Sequence, residues 1–285
     1  SEIVPSGMRM PGDTRPIGVF DSGMGGLTVL RALCARLPNE HFVYLGDTAR
    51  LPYGTKSPDT VRAYALQATH LLLSEDVKMV VIACNTASAV ALDALREALA
   101  PVPVIGVIEP GARAGVAATR NKHIAVLATE STVKGAAYVH AIRRLMADAM
   151  VEQLACQVFV ALAEEGWADT SVTTAAIKDY LEPLFAHPGA PDTLVLGCTH
   201  FPVLKAAIQR YVGDAITLVD SADTTAAAVA ETLATSTLQT DISAAPRNIH
   251  FFATDSTERF ARIGAIFFGR EIDSGDVTLV DLKMV

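Results

Sequence analysis

The sequence predicts an α/β protein made of two similar parallel sheets covered by helices, with a site in the cleft between them. Short β-branched, apolar runs alternate with amphipathic helical stretches along nearly the whole chain, the pattern of a parallel sheet wrapped by helices on both faces. The pattern also repeats. Ile17-Gly18-Val19-Phe20-Asp21-Ser22 before one helix is echoed by Ile124-Ala125-Val126-Leu127-Ala128-Thr129, then Ser131-Thr132 and a second helix, with a period of about 110 residues, the size of a small α/β domain. Finally, Cys84 and Cys198 each stand where a buried apolar run gives way to hydroxyl and amide residues. Such strand ends are where an open sheet presents groups to a ligand.

Taken in order, strands are expected at residues 17–20, 42–45, 79–83, 104–107, 124–127, 193–196, 217–219 and 250–253, each an apolar, β-rich run bounded by turn residues. Pro38 should end the helix that follows the first glycine turn. Ser57-Pro58 is a side-chain cap followed by proline at the first helical position, so a helix should run from there to about Glu75. Asn85-Thr86-Ala87-Ser88 opens another toward Ala100, placing the Cys84 thiol at a helix N-terminus, where a thiolate is favoured. The same geometry is expected after Cys198. With a crossover near Val107 to Glu109 and a return near Asp220, residues 1–107 with 221–285 form the first domain and 108–220 the second, with 1–15 as a flexible tail.

Composition narrows the function. Of 285 residues, 51% are hydrophobic, enough for a substantial core. A net charge of -8 and no Lys/Arg-rich run argue against a nucleic-acid or membrane-surface partner. Every long apolar stretch is broken well before the ~18 residues that would span a bilayer. No basic, apolar, small-residue leader opens the chain, and the four cysteines, Cys34, Cys84, Cys156 and Cys198, lack C-x-x-C spacing. A reducing, cytoplasmic setting fits best. A small-molecule partner is expected, and a homodimer is left open.

Asp21-Ser22-Gly23-Met24-Gly25-Gly26 follows a strand and precedes a helix, so it superficially offers a dinucleotide loop with Asp47 as ribose acid. Thr28 occupies the third glycine position, and Asp21 puts a negative charge where a pyrophosphate would lie. The alternatives are a backbone cradle for a small anion, with Asp21 handling an ammonium or a proton, or a plain strand-to-helix turn. Leu51-Pro52-Tyr53-Gly54 reads as a rigid loop whose N-H groups can face a cleft. Cys34 and Cys156 read as inert buried thiols. For Cys84 and Cys198 the paired placement points to reactivity. A cysteine hydrolase leaves one thiol idle, and a zinc site of Cys84, Cys198 and His200 lacks the common spacing. A two-base reaction uses both sulfurs: one removes a Cα proton while the other delivers a proton to the opposite face.

Phe20-Asp21-Ser22-Gly23-x-Gly25-Gly26, Leu51-Pro52-Tyr53-Gly54, Ala83-Cys84-Asn85-Thr86-Ala87 and Gly197-Cys198-Thr199-His200-Phe201-Pro202 resemble, in order and distance, the four signature segments of the bacterial glutamate racemases of the Asp/Glu racemase superfamily. Glu164-Glu165-Gly166 resembles a further segment. The resemblance implies a cofactor-independent enzyme of two α/β domains related by a pseudo-two-fold, interconverting L- and D-glutamate for peptidoglycan synthesis. It implies Cys84 as the base toward D-glutamate and Cys198 as the base toward L-glutamate, with Asp21 and His200 assisting proton transfer. Ser22, Pro52, Tyr53, Gly54, Asn85, Thr86, Thr199 and His200 would hold the substrate, with Asp21 beside them and Thr129 and Thr132 from the second domain. An aspartate or hydantoin racemase, a cysteine-dependent hydrolase and a two-lobed amino-acid sensor are the competing readings.

Overall fold

The computed structural model describes residues 12–240 and 247–282. The chain runs through β1 (Ile17–Asp21), α1 (Leu27–Arg36), β2 (Phe42–Gly46), α2 (Pro58–Ser74), β3 (Met79–Ile82), α3 (Asn85–Leu99) and β4 (Val104–Gly106). It continues with α4 (Ile108–Ala118), β5 (His123–Ala128), α5 (Glu130–Gly135), α6 (Ala137–Leu145), β6 (Met150–Ala155), α7 (Gln157–Glu164), α8 (Ser171–Phe185) and β7 (Thr193–Gly197). It closes with α9 (Lys205–Val212), β8 (Thr217–Asp220), α10 (Ser221–Thr235), β9 (Ile249–Ala253), α11 (Thr257–Phe268) and β10 (Val277–Leu279).

Two parallel sheets result, ordered β10-β9-β2-β1-β3-β4 and β6-β5-β7-β8. The repeat seen in the sequence is therefore a repeat of topology, since β2-β1-β3-β4 and β6-β5-β7-β8 follow one path. In each sheet the chain reverses its direction of winding beside the first strand of the repeat, between β1 and β3 and between β5 and β7. A crevice opens at the carboxyl ends of strands flanking such a point. Asp21 and Cys84 end one pair, Thr129 and Cys198 the other.

All eight expected strands are present. Two more, β6 and β10, lie at sheet edges. β6 carries Glu152 and Gln153 and is only partly buried, and β10 has three residues; edge strands are commonly short or polar, which dilutes the apolar signal. The Ser57 hydroxyl accepts from Thr60 N-H at the start of α2, with Pro58 next.

Strand side chains alternate between faces, so each sheet contributes to two cores. Val19, Tyr44 and Val81 of the first sheet and Ile124, Val126 and Val195 of the second join one apolar cluster, together with α1, α4 and α10 through Leu30, Ala112 and Val229. The opposite faces build separate cores, Phe20, Val80 and Ile82 against α2 and α3, and Leu127, Leu194 and Leu196 against α7 to α9. The shared central core holds the two sheets together. Among the described residues no helix is long and apolar enough to cross a membrane.

Of the flexible tail expected at 1–15, residues 1–11 lie outside the described residues. The Asp13 carbonyl accepts from Lys78 Nζ at 2.6 Å and from Thr240 Oγ1 at 2.7 Å. Lys78 is fully buried and pairs with Glu40 at 2.7 Å, and Glu40 also accepts from Thr240 N-H at 2.9 Å. Removing one member strands a buried charge. Glu40→Ala should lose about 3 to 5 kcal/mol of stability, read from the urea midpoint, and Glu40→Leu with Lys78→Met should recover much of it.

Candidate active site

Asp21 ends β1 and is 2% exposed. Its Oδ2 accepts the N-H groups of Gly23 at 3.1 Å and Gly26 at 2.9 Å, with the Tyr44 hydroxyl at 3.4 Å. The glycine turn thus spends the N-H groups of Gly23 and Gly26 on its own aspartate. Its glycines serve close approach. A Cβ on Gly26 would stand 2.5 Å from Asp21 Cβ, and one on Gly25 would stand 2.3 Å from the His200 ring. Beside them, Thr28 Oγ1 donates to the Thr199 carbonyl at 2.8 Å, joining the first turn of α1 to the loop after β7.

Cys84 follows β3 and caps α3, its Sγ accepting from Ala87 N-H at 3.4 Å. The favoured thiolate expected from that position is not what the surroundings produce. Burial, reinforced by the Asp21 carboxylate, pushes the thiol up to about 12 against the opposing pull of the Ala87 N-H and Ser22. Cys84 rests as a neutral thiol, because desolvation here exceeds what one helix N-terminus supplies.

The next residue, Asn85, accepts at Oδ1 from the Tyr138 hydroxyl, while its buried Nδ2 has no partner among the described residues. The Pro52-Tyr53-Gly54 loop is held by Asp47, which is fully buried and accepts from the Tyr53 hydroxyl, from Arg50 Nε at 2.7 Å and from Thr254 Oγ1 at 2.8 Å. Asp47 is the post on which this loop is fixed. A Cβ on Gly54 would lie 3.4 Å from Thr129, so the loop abuts the end of β5.

In the second half, Cys198 is not placed like Cys84. A 3-10 turn, Phe201–Leu204, intervenes before α9. A side chain takes the place of the helix end. His200 Nδ1 lies 3.9 Å from Cys198 Sγ, its Nε2 lies 3.0 Å from Glu164 Oε1, and its ring stands edge-on to Phe267 with centroids 4.8 Å apart. Burial disfavours the imidazolium, but the Cys198 sulfur and the Glu164 carboxylate outweigh it and lift His200 to about 10. Glu164 is lowered, chiefly by its hydrogen bond to His200. The pair is ionic at neutral pH.

Both thiols open on one cavity of about 60 Å³, several times the room one water needs. The first half contributes Asp21, Ser22, Pro52, Tyr53, Gly54, Cys84, Asn85 and Thr86, and the second Thr129, Cys198, Thr199 and His200. Thr132 is fully buried behind the wall, its Oγ1 3.4 Å from that of Thr129. Gln157 and Val160 of α7 complete the lining. Sequence reasoning missed them, together with the anchoring roles of Asp47 and Glu164. A wider groove of about 670 Å³ beside β4, α4 and α10 holds neither thiol. Cys34 and Cys156 are buried thiols, both raised by that burial, Cys156 to about 12. Among the described residues no group of three or more His, Cys, Asp or Glu is placed to hold a metal ion.

Comparison with known proteins follows the same lines. The sequence model of the Asp/Glu/hydantoin racemase family matches residues 18–230. The chain is 47% identical over 269 residues to the glutamate racemase of Geobacter metallireducens, covering 94% of this chain and 97% of that one. It is 49% identical over 260 residues to the glutamate racemase of Syntrophus aciditrophicus, covering 91% and 95%. The crystal structure of the Francisella tularensis glutamate racemase in complex with D-glutamate superposes with a TM-score of 0.87 at 34% identity, covering 96% of this chain and all of that one.

The ionic pair has a pH signature. A His200 raised from 6.5 to about 10 adds stability that is complete below about pH 6.5 and is lost as pH rises through about 10. Glu164, lowered from 4.5, adds stability that is present above that value and lost as pH falls through its folded value. In Glu164→Gln the His200 Cε1 proton, followed by NMR, should titrate well below the wild-type midpoint. An unmoved midpoint would remove Glu164 from this account.

Proposed function

The chain belongs to the Asp/Glu/hydantoin racemase family and is an amino-acid racemase, and from that premise we propose that it interconverts L- and D-glutamate by a cofactor-independent, two-thiol proton transfer. The observation that carries the proposal is the convergence of Cys84 and Cys198, ends of equivalent strands in two different sheets, on one small cavity. Inversion at carbon needs an acid and a base on opposite faces, and a site made between two related halves supplies them.

In the direction from D-glutamate, Cys84 as thiolate takes the Cα proton and the bonding pair moves onto carbon and the α-carboxylate. The Cys198 thiol then gives its proton to the opposite face, leaving Cys84 protonated and Cys198 as thiolate. The L-to-D direction reverses each step. Asp21 faces the substrate ammonium; that cation offsets the Asp21 charge, which together with the larger effect of burial keeps the Cys84 proton in place. His200, anchored by Glu164, directs Nδ1-H at Cys198. Asn85 Nδ2 holds the α-carboxylate in ground state and transition state alike, Thr86 and Thr199 donate to it as charge builds on it, and Ser22, the Pro52-Tyr53-Gly54 loop, Thr129 and Thr132 behind it shape the remainder.

The same proposal includes supply of D-glutamate to peptidoglycan synthesis and a cytoplasmic location. It also includes the division into 1–107 with 221–285 and 108–220, which follows the strand membership of the two sheets; a homodimer enters none of the steps. In D2O, L-glutamate should lose optical rotation while Cα gains deuterium. Activity confined to aspartate would redirect the substrate assignment, and no exchange with either amino acid would overturn the two-thiol reading. Cys84→Ala and Cys198→Ala should each lower kcat/KM by about 10³ or more while remaining folded. Asp21→Asn should slow at least one direction; unchanged rates both ways would remove Asp21 from the proton transfer.

A further inference from the structure

Tyr138 lies in α6, outside every motif of the site, yet it touches the residues next to both thiols. Its ring is fully buried between two glycines. A Cβ on Gly197, the residue before Cys198, would meet Cε2 at 2.9 Å, and one on Gly111 of α4 would meet Cε1 at 3.3 Å. Its hydroxyl reaches Asn85, the residue after Cys84.

A buried hydroxyl must place its proton on an acceptor or lose the whole hydrogen bond, and Asn85 Oδ1 is the acceptor here. An amide has one oxygen and one NH2 group, so fixing the oxygen fixes the other end. Asn85 is 5% exposed, its Nδ2 has no partner among the described residues, and it lies on the cavity wall. That leaves a buried, unpaired donor on a residue of the cavity wall, the complement of a carboxylate, which only accepts.

We propose that Tyr138 is a positioning residue of this site, turning the Asn85 amide so that Nδ2 faces the substrate carboxylate. The inference rests on the reading of the cavity as an amino-acid site. The opposite amide orientation would leave the Tyr138 proton without an acceptor and turn an oxygen toward an anion, two unfavourable terms at once.

Tyr138→Phe keeps the ring and removes only the hydroxyl. KM for both enantiomers should rise about fivefold to tenfold, the worth of one hydrogen bond, with kcat within about twofold of wild type. In an Asn85→Ala background the same change should leave KM unaltered, since the amide it orients is gone. Wild-type KM in Tyr138→Phe, with or without a lowered melting temperature, would overturn the proposal, as would full additivity of the two substitutions. The cycle is run on whichever dicarboxylic amino acid the wild-type chain racemises, so indifference to glutamate overturns the substrate assignment alone.

Discussion

Where Gly25 would carry a side chain, the structure puts the His200 imidazole. That contact, with the Thr28 hydroxyl on the Thr199 carbonyl beside it, is the constraint on which the rest of the site depends. Each half alone presents one thiol at the end of a strand. Two thiols address one carbon only if the turn after β1 and the loop after β7 approach closely, and the glycines let them do so. The shared core of α1, α4 and α10 holds the sheets at that separation.

The halves repeat in topology but not in electrostatics. Cys84 is kept protonated by burial and by Asp21. Cys198 faces a His200 that Glu164 and the sulfur itself hold cationic. One side of the cavity carries the Asp21 carboxylate beside the Cys84 thiol, the other the His200 imidazolium beside the Cys198 sulfur. A two-base reaction needs one protonated and one deprotonated partner at the start of each turnover, and this asymmetry provides different means of reaching those states on the two faces.

The alternation of strands and helices, the echo of Asp21-Ser22 in Ala128-Thr129, and the thiols at Cys84 and Cys198 were legible because each is local in sequence. What was not legible depends on contacts. A helix N-terminus predicts a thiolate at Cys84, whereas its state is decided by burial and by Asp21, sixty-three positions away. Gln157 and Val160 were missed because β6, the strand that delivers α7 to the cleft, carries Glu152 and Gln153 and hides its period. Glu164 stood in a recognisable segment, but nothing in the order of residues says that it meets His200. Gly25 and Gly26 looked like a phosphate loop because glycine at a strand-to-helix turn serves any close approach, of a ligand or of another part of the chain.

The central claim is geometric, that two sulfurs from two sheets flank one substrate carbon. A crystal structure of the wild-type protein with D-glutamate tests it most directly. The account predicts Cys84 Sγ and Cys198 Sγ on opposite faces of Cα, each within about 3.5 to 4 Å, near attack distance. Both sulfurs on one face, or either one out of contact with Cα, would contradict it.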